Sequence, residues 1–183
     1  MFLRLPLKSC IMPALFLPAL LLCSGCDEKR GVKIGENPPA VSGKDLQGRS
    51  VDLAHLKGKV VVIYFWTNSC CGDTLKELEP VYLRNKNKGL EILAINVMDS
   101  RKDVASIASN NRLTFTMLPD EHATLFEQYK VRGFPTIFIL DKHGVVREKI
   151  LGAIHSSKLE KLMQRQFEIH KQAEDAYQKA RPH

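Results

Sequence analysis

The sequence predicts an α/β fold in which a central β-sheet of mixed strand direction is covered by helices on both faces. Two continuous β-branched and apolar runs, Lys59–Trp66 and Glu91–Met98, are typical of strands buried on both faces. Stretches with helical spacing separate the predicted strands, and residues 141–144 make a hairpin connection between the last two. Strands that alternate with helices and then close in a hairpin indicate one mixed sheet.

Local patterns predict the remaining elements. Apolar residues three and four apart predict helices, short β-branched runs predict strands, and Ser100 with Asp103 forms a capping box. In chain order we expect a turn at 45–49, a strand at 50–53, a helix at 72–87, a helix at 100–110, a strand at 115–118, a helix at 121–129, strands at 136–140 and 145–151, and a last helix capped by Ser157 and Glu160. Beyond Phe167 this helix becomes charged and continues toward Ala180 as a solvated tail.

Residues 1–26 have the pattern of an export signal. Arg4 and Lys8 precede an uncharged apolar stretch that is short for a membrane span and ends in small residues before Cys26. This resembles a bacterial lipoprotein signal, in which cleavage precedes the cysteine and its sulfur carries lipid, although Cys23 stands where that pattern usually has Leu. The following Asp27 resembles a signal for retention in the inner membrane. An ordinary cleaved signal or an uncleaved anchor remains the alternative.

Composition and charge limit the class of protein. With 183 residues, 44% of them hydrophobic and 26% charged, the chain fits one ordinary globular domain. We expect a signal peptide at 1–25, a tether at 26–36, the domain at 37–165 and the charged tail at 166–183. The net charge of +7 is spread without a basic block, so no nucleic-acid partner is predicted. No C-x-x-C pair exists, which excludes a zinc ribbon; no metal or cofactor is predicted.

Three segments carry a family resemblance. Leu56–Trp66 is similar to a strand that leads to an active site, Ile95–Val97 with the helix after it to an inserted strand–helix element, and Val131–Asp141 to a segment with a cis proline. Together they resemble the thioredoxin superfamily, specifically the TlpA/ResA-like group of membrane-tethered periplasmic thiol-disulfide proteins. The resemblance implies a thioredoxin-like fold with an extra N-terminal hairpin and a βα insertion. It also implies thiol-disulfide exchange on exported proteins, with cytochrome c maturation as one such role.

The active site of that group falls on residues 65–74, FWTNSCCGDT. The family has C-x-x-C there, at a helix start whose amides stabilise the thiolate of the attacking cysteine. Counting forward from the strand aligns Cys70 with the attacking position and Asp73 with the resolving one. Counting back from Glu77 aligns Cys71 and Thr74 instead. Both counts leave the resolving cysteine missing, and Asp73 has a second interpretation as a proton acceptor beside a thiol.

Adjacent cysteines leave several chemistries open. Cys70 and Cys71 could form a vicinal disulfide, which closes an eight-membered ring, with one sulfur attacking and its neighbour resolving. Monothiol chemistry, in which an external thiol resolves the mixed disulfide, is an alternative. Loss of redox activity in a domain that serves binding or assembly is another.

The resemblance also implies a docking surface around the predicted cis proline. Pro135 would lie against the attacking sulfur, and Phe134 and Trp66 would contribute to substrate binding. Two further alternatives stay open. A peroxiredoxin-like peroxidase shares Thr67-x-x-Cys70 but lacks the preceding proline, and a copper metallochaperone would need a histidine such as His122 or His143 beside the two thiols.

Overall fold

Seven strands and five helices make up the computed structural model, which describes residues 31–181. The strands are β1 (Ser42–Lys44), β2 (Ser50–Asp52), β3 (Val60–Trp66), β4 (Leu90–Val97), β5 (Thr116–Asp120), β6 (Thr136–Leu140) and β7 (Val146–Leu151). The helices are α1 (Asn68–Cys71), α2 (Leu78–Asn85), α3 (Arg101–Asn110), α4 (Thr124–Gln128) and α5 (Ser156–Ala180). β1 and β2 form an antiparallel hairpin, and the other five strands form one sheet in the order β5-β4-β3-β6-β7.

β3 is the central strand of this sheet. It pairs in parallel with β4 and antiparallel with β6, and all seven of its residues are buried. β5 extends the parallel half, and β7 extends the antiparallel half. A run of Val, Ile, Tyr, Phe and Trp suits this position because neither face of the strand meets water. The predicted mixed α/β sheet is confirmed.

Helices cover both faces of the sheet. Side chains at alternate positions of β3 point to opposite faces, so they enter two different cores. Val62, Tyr64 and Trp66 face a core that α2, α3 and α5 close with Leu78, Val104 and Leu159. Val61, Ile63 and Phe65 face a second core that includes Leu125 of α4 and Val41.

Two of the boundaries that differ from the sequence predictions have a local cause. The predicted helix over 72–87 begins as a 3-10 turn at Gly72–Glu77, and the α-helix starts only at Leu78. This start places Pro80 in the first helical turn, where its missing N–H costs nothing. The predicted strand over 50–53 ends at Asp52, whose carboxylate accepts the Ala54 N–H at 2.8 Å and opens a second 3-10 turn.

The predicted cap of the last helix was wrong. α5 begins at Ser156, and its N-cap is His155, whose side chain makes no capping hydrogen bond. Ser157 therefore lies inside the first turn. By contrast, Ser100 does cap α3, because its hydroxyl accepts the Asp103 N–H at 3.2 Å.

Residues 32–36 pack against the edge of the sheet. The amide of Gly35 donates to Val146 of β7, and Val146 donates back to Glu36. Val32 is buried, and its carbonyl accepts the Lys149 ammonium at 3.0 Å. The predicted signal peptide, Cys26 and Asp27 lie outside the described residues. Within residues 31–181, no helix has both the length and the apolarity needed to cross a membrane.

The packing of α2 against the start of β5 depends on one buried carboxylate. Glu79 is 9% exposed, and it accepts hydrogen bonds from the Thr114 amide at 2.8 Å and from the Thr114 hydroxyl at 2.5 Å. Glu79 therefore joins α2 to the residues that lead into β5, and it satisfies two donors that the sheet does not use.

α5 packs against the connection between β6 and β7 through two histidines. The rings of His143 and His170 lie 4.7 Å apart, beside a cavity of about 420 Å³ that Asp141 and Arg147 also line. Burial lowers the pKa of His170, and the neighbouring His143 and Lys142 side chains lower it further. Burial alone would raise the pKa of Asp141, but hydrogen bonds from Val145 and Arg147 lower it.

We expect Glu79→Ala to destabilise the fold by about 1–3 kcal/mol, because it leaves the Thr114 amide without its acceptor. Urea unfolding followed by circular dichroism measures this loss. Glu168→Ala on the exposed face of α5 is the matched control, and a shift of about 0.5 kcal/mol or less is expected there. Equal shifts in the two variants would contradict the role given to Glu79.

We also expect acid to weaken the packing of α5 through His170. Its pKa is lower in the folded state than in the unfolded chain, so protonation favours unfolding. This penalty is absent above the unfolded pKa and grows as pH falls toward the lowered folded value. Between about pH 8 and about pH 5, the urea midpoint of the unmodified chain should fall further than that of His170→Gln. Parallel pH profiles for the two proteins would contradict this role of His170.

Candidate active site

The predicted site residues meet at the carboxyl end of β3. Trp66, the last residue of β3, pairs with Asn96 of β4, and Phe65 pairs with Thr136 at the start of β6. The chain that leaves β3 therefore lies between the end of β4 and the loop that precedes β6. α1 begins there, at Asn68.

Cys70 and Cys71 are the last two residues of α1, and the structure pairs their sulfur atoms as a disulfide. Their amides both donate to the carbonyl of Thr67, at 3.4 Å from Cys70 and 3.0 Å from Cys71. The two side chains differ in burial. Cys70 is exposed, whereas Cys71 is 2% exposed and packs in the first core with Leu75. Of the two cysteines, Cys70 is the one open to another protein.

Asp99 holds the start of the cysteine helix. Thr67 is the N-cap residue of α1, but its side chain makes no capping bond. Instead, the Asp99 carboxylate accepts the Asn68 N–H at 2.7 Å and the side-chain amide of Asn96 at 2.8 Å. One oxygen of Asp99 thus joins the end of β4 to the first turn of α1. Sequence reasoning missed this residue; the available signal was an aspartate just beyond a buried strand and next to the α3 cap.

Three buried polar atoms lie close to this junction in sequence and register. The indole N–H of Trp66 and the side-chain oxygens of Asn68 and Asn96 have no hydrogen-bond partner among residues 31–181. Buried polar groups in folded proteins are seldom left in that state. The carboxyl ends of β3 and β4 therefore carry hydrogen-bonding capacity that the fold itself does not use.

Thr74 turns back toward the cysteines. Its hydroxyl donates to the carbonyl of Cys71 at 2.9 Å. Tyr64 lies beneath this turn, and burial raises the pKa of its hydroxyl. A hydrogen bond with the Thr74 side chain opposes this rise, whereas the negative charge of Glu77 adds to it. Asp73 belongs to the same 3-10 turn, but its side chain lies outside the described part of the structure.

The loop before β6 lies beside the cysteine helix. Its Phe134–Pro135 peptide bond is cis, as the resemblance implies. Phe134 is half-buried and packs against both cores, and its ring centre lies 5.4 Å from that of Phe126. The Thr136 hydroxyl donates to the Gly133 carbonyl at 2.7 Å and holds the bend.

The expected position of Trp66 needs correction. Its side chain is fully buried in the first core, so it does not line a surface groove in this structure. The cause is its place in β3: the even-numbered side chains of this strand point under α2 and α3. Trp66 supports the cysteine turn from below, and a Cβ added to Gly72 would lie 3.9 Å from the indole ring.

The described residues show no group of three or more His, Cys, Asp and Glu side chains placed to hold a metal ion. The two cysteines together have two sulfur donors, and no histidine side chain joins them in such a group. The site therefore holds a pair of adjacent cysteines, one exposed and one buried, with a carboxylate at the helix start.

The chain is similar to several known thiol-disulfide proteins in sequence and fold. Thiol-disulfide oxidoreductase ResA of Bacillus cereus is 31% identical over 140 residues, which cover 75% of this chain and 81% of the relative. A thioredoxin-family thiol:disulfide interchange protein of Chlorobium tepidum superposes with a TM-score of 0.67 at 19% identity, over 74% of this chain and 98% of that one. The thioredoxin domain of a Bacteroides vulgatus thiol-disulfide oxidoreductase superposes with a TM-score of 0.63 at 27% identity, over 73% and 99% of the two chains.

These likenesses confirm the predicted thioredoxin-like fold. The model of the AhpC/TSA family matches residues 34–149, a range that includes both cysteines, the cis proline and the whole central sheet apart from the end of β7. The chain belongs to the AhpC/TSA family of the thioredoxin superfamily.

Proposed function

We propose that this protein is a thiol-disulfide oxidoreductase that acts on exported proteins, with Cys70 as the attacking and Cys71 as the resolving sulfur. The observation that carries this assignment is the difference in exposure between the paired cysteines: Cys70 is open to solvent, whereas Cys71 is 2% exposed. A substrate disulfide reaches the exposed sulfur alone. The neighbouring sulfur needs no access to solvent, because it acts within the same chain.

The exchange balances with these two sulfurs and a substrate disulfide. The Cys70 thiolate attacks one substrate sulfur, a mixed disulfide forms, and the first substrate thiolate leaves. The Cys71 thiolate then attacks the Cys70 sulfur, which closes the Cys70–Cys71 disulfide and releases the second substrate thiolate. The substrate gains two electrons and the cysteine pair loses two. An external dithiol returns the pair to the reduced state.

The surrounding residues support these steps. Cys70 lies within the single turn of α1, and the positive end of a helix favours a thiolate. The cis bond at Phe134–Pro135 and the register between Phe65 and Thr136 support a docking loop beside the helix. In this proposal Pro135 and Phe134 contact the substrate, and Asp73 and Thr74 flank the resolving cysteine.

We further propose that the protein is lipid-anchored through Cys26 at the periplasmic face of the inner membrane. The charge and apolar pattern of residues 1–26 supports this location. The Bacillus cereus relative is named a thiol-disulfide oxidoreductase, which supports proteins with thiols or disulfides as substrates. In this proposal the substrates are exported proteins, and cytochrome c maturation is one such role.

Single serine variants separate the two sulfur roles. Cys70→Ser should reduce a peptide disulfide no faster than the uncatalysed background with dithiothreitol, because the accessible nucleophile is gone. Cys71→Ser should still attack but should accumulate a mixed disulfide with the peptide, since resolution from within the chain is lost. Absorbance kinetics measure the first result, and intact-protein mass spectrometry detects the second.

Ser69→Ala is the matched control for these variants, because it changes the exposed neighbour and leaves both sulfurs in place. It should keep the activity of the unmodified chain. Unchanged activity in both cysteine variants would refute the redox function. Full turnover by Cys71→Ser with glutathione would instead assign monothiol chemistry, and consumption of hydrogen peroxide without disulfide reduction would assign a peroxidase.

Removal of the Asp99 charge should make the attacking thiol more reactive. The carboxylate binds the first amide of α1 and disfavours a second negative charge at that helix start. In Asp99→Asn we expect the pH profile of Cys70 alkylation, measured in a Cys71→Ser background, to move down by a few tenths to about one pH unit. Asp175→Asn on exposed α5 should leave the profile in place. A profile that moves up, or does not move, would contradict this role of Asp99.

A further inference from the structure

A groove of about 740 Å³ adjoins the loop that carries Phe134–Pro135. It is lined by residues from four places in the chain: residues 31–33, the end of α4 with Lys130 after it, the stretch 131–136, and β7. Four of the lining side chains are cationic: Lys33, Lys130, Arg132 and Lys149. Glu127 is the one carboxylate among the lining residues that the structure describes. We call this surface the basic groove.

The positive charge of the basic groove is only partly neutralised. Lys130 lies 3.8 Å from Glu127, and Lys33 lies 3.8 Å from Glu36; both are weak contacts between exposed groups. Lys149 donates to the Val32 carbonyl, which positions the ammonium but leaves its charge. Arg132 is exposed and forms no ion pair within residues 31–181. The groove therefore presents an excess of cations in one concave place, where low-dielectric walls strengthen their field.

The basic groove also has an apolar part. Val131 and Val32 are buried along it, and Leu151 is 65% exposed at its lining. A large exposed aliphatic side chain beside several cations favours an occupant with both acidic and apolar groups. The volume falls within the range of about 300–1,000 Å³ that is typical of concave ligand sites.

The basic groove and the candidate active site share one loop. A Cβ added to Gly133 would lie 3.3 Å from Leu151, so the groove reaches the residue next to Phe134. Thr136 lines the groove and pairs with Phe65, one residue before the end of β3. A chain bound beside Pro135 therefore needs to extend by only a few residues to enter the groove.

We propose that the basic groove binds an extended acidic and apolar segment of the substrate protein, which flanks the substrate sulfur that reaches Cys70. This assignment of a substrate class rests on the proposed function of the site. The concave shape and the exposed Leu151 favour a peptide segment over a membrane surface, because a flat bilayer cannot enter a concave groove.

Binding is measured first without any redox chemistry. The full chain with Cys70→Ser and Cys71→Ser is titrated into fluorescent, cysteine-free ten-residue peptides in which Leu alternates with Asp, Ser or Lys. We expect the Asp peptide to bind about tenfold or more tightly than the Ser peptide, and the Lys peptide not to bind. Added salt should weaken the Asp complex. Equal binding of the Asp and Ser peptides would overturn the proposal.

Charge reversal in the basic groove provides the second measurement. Arg132→Glu, added to the same background, should weaken binding of the Asp peptide about tenfold, because Arg132 makes no structural ion pair among the described residues. Lys161→Glu on exposed α5 carries the same change in net charge and should bind like its parent. Equal losses in the two variants would show an effect of overall charge and overturn the site.

The remaining outcomes distinguish this proposal from its neighbours. Arg132-dependent sedimentation with phosphatidylglycerol vesicles, together with no peptide binding, would make the surface a membrane contact and overturn the peptide proposal. In the redox-active chain, an Asp-flanked disulfide peptide should show a higher kcat/KM than a Ser-flanked one, and Arg132→Glu should reduce the ratio. Peptide binding without any disulfide reduction would refute the proposed redox function while the groove assignment stands.

Discussion

The two-sided pairing of β3 is the constraint on which the rest of the molecule depends. This strand has a parallel neighbour on one side and an antiparallel neighbour on the other, and it exposes no residue to water. A parallel neighbour requires a crossover, which α2 supplies, whereas an antiparallel neighbour brings its start to the end of β3. The end of β3 thus meets both the end of β4 and the loop with Pro135. The reactive residues converge because of strand direction, not because they are close in sequence.

A single carboxylate then fixes the first turn of the short cysteine helix. A helix of four residues has almost no stability of its own. Asp99 supplies an acceptor for its first amide and also bonds Asn96 on the neighbouring strand. The same contact places a negative charge at the start of α1, where it disfavours the additional negative charge of a cysteine thiolate. The position and the reactivity of the cysteines are therefore coupled through one side chain, whose hydrogen bonds go to Asn68 and Asn96.

The patterns that could be predicted are those that local sequence controls. The apolar run of β3, the Ser100 cap and the order of the strands follow from periodicity and capping chemistry, and the cis bond before Pro135 followed from a family resemblance. The sequence alone could not show whether Trp66, at the end of a strand, is buried or exposed. Its burial depends on α2 and α3, which come from other parts of the chain. Asp99 and the contrast between Cys70 and Cys71 were hidden for the same reason. Both depend on how two strands and a turn meet in space.

The adjacency of the cysteines has a consequence for the thermodynamics of the redox cycle. A disulfide stabilises a fold largely by closing a loop in the unfolded chain, and the effect grows with the number of residues in that loop. The Cys70–Cys71 bridge has a sequence separation of one, so it encloses no intervening residue. Oxidation and reduction therefore leave the chain entropy of the unfolded state almost unchanged. Loop closure therefore contributes almost nothing to any difference in conformational stability between the oxidised and the reduced protein.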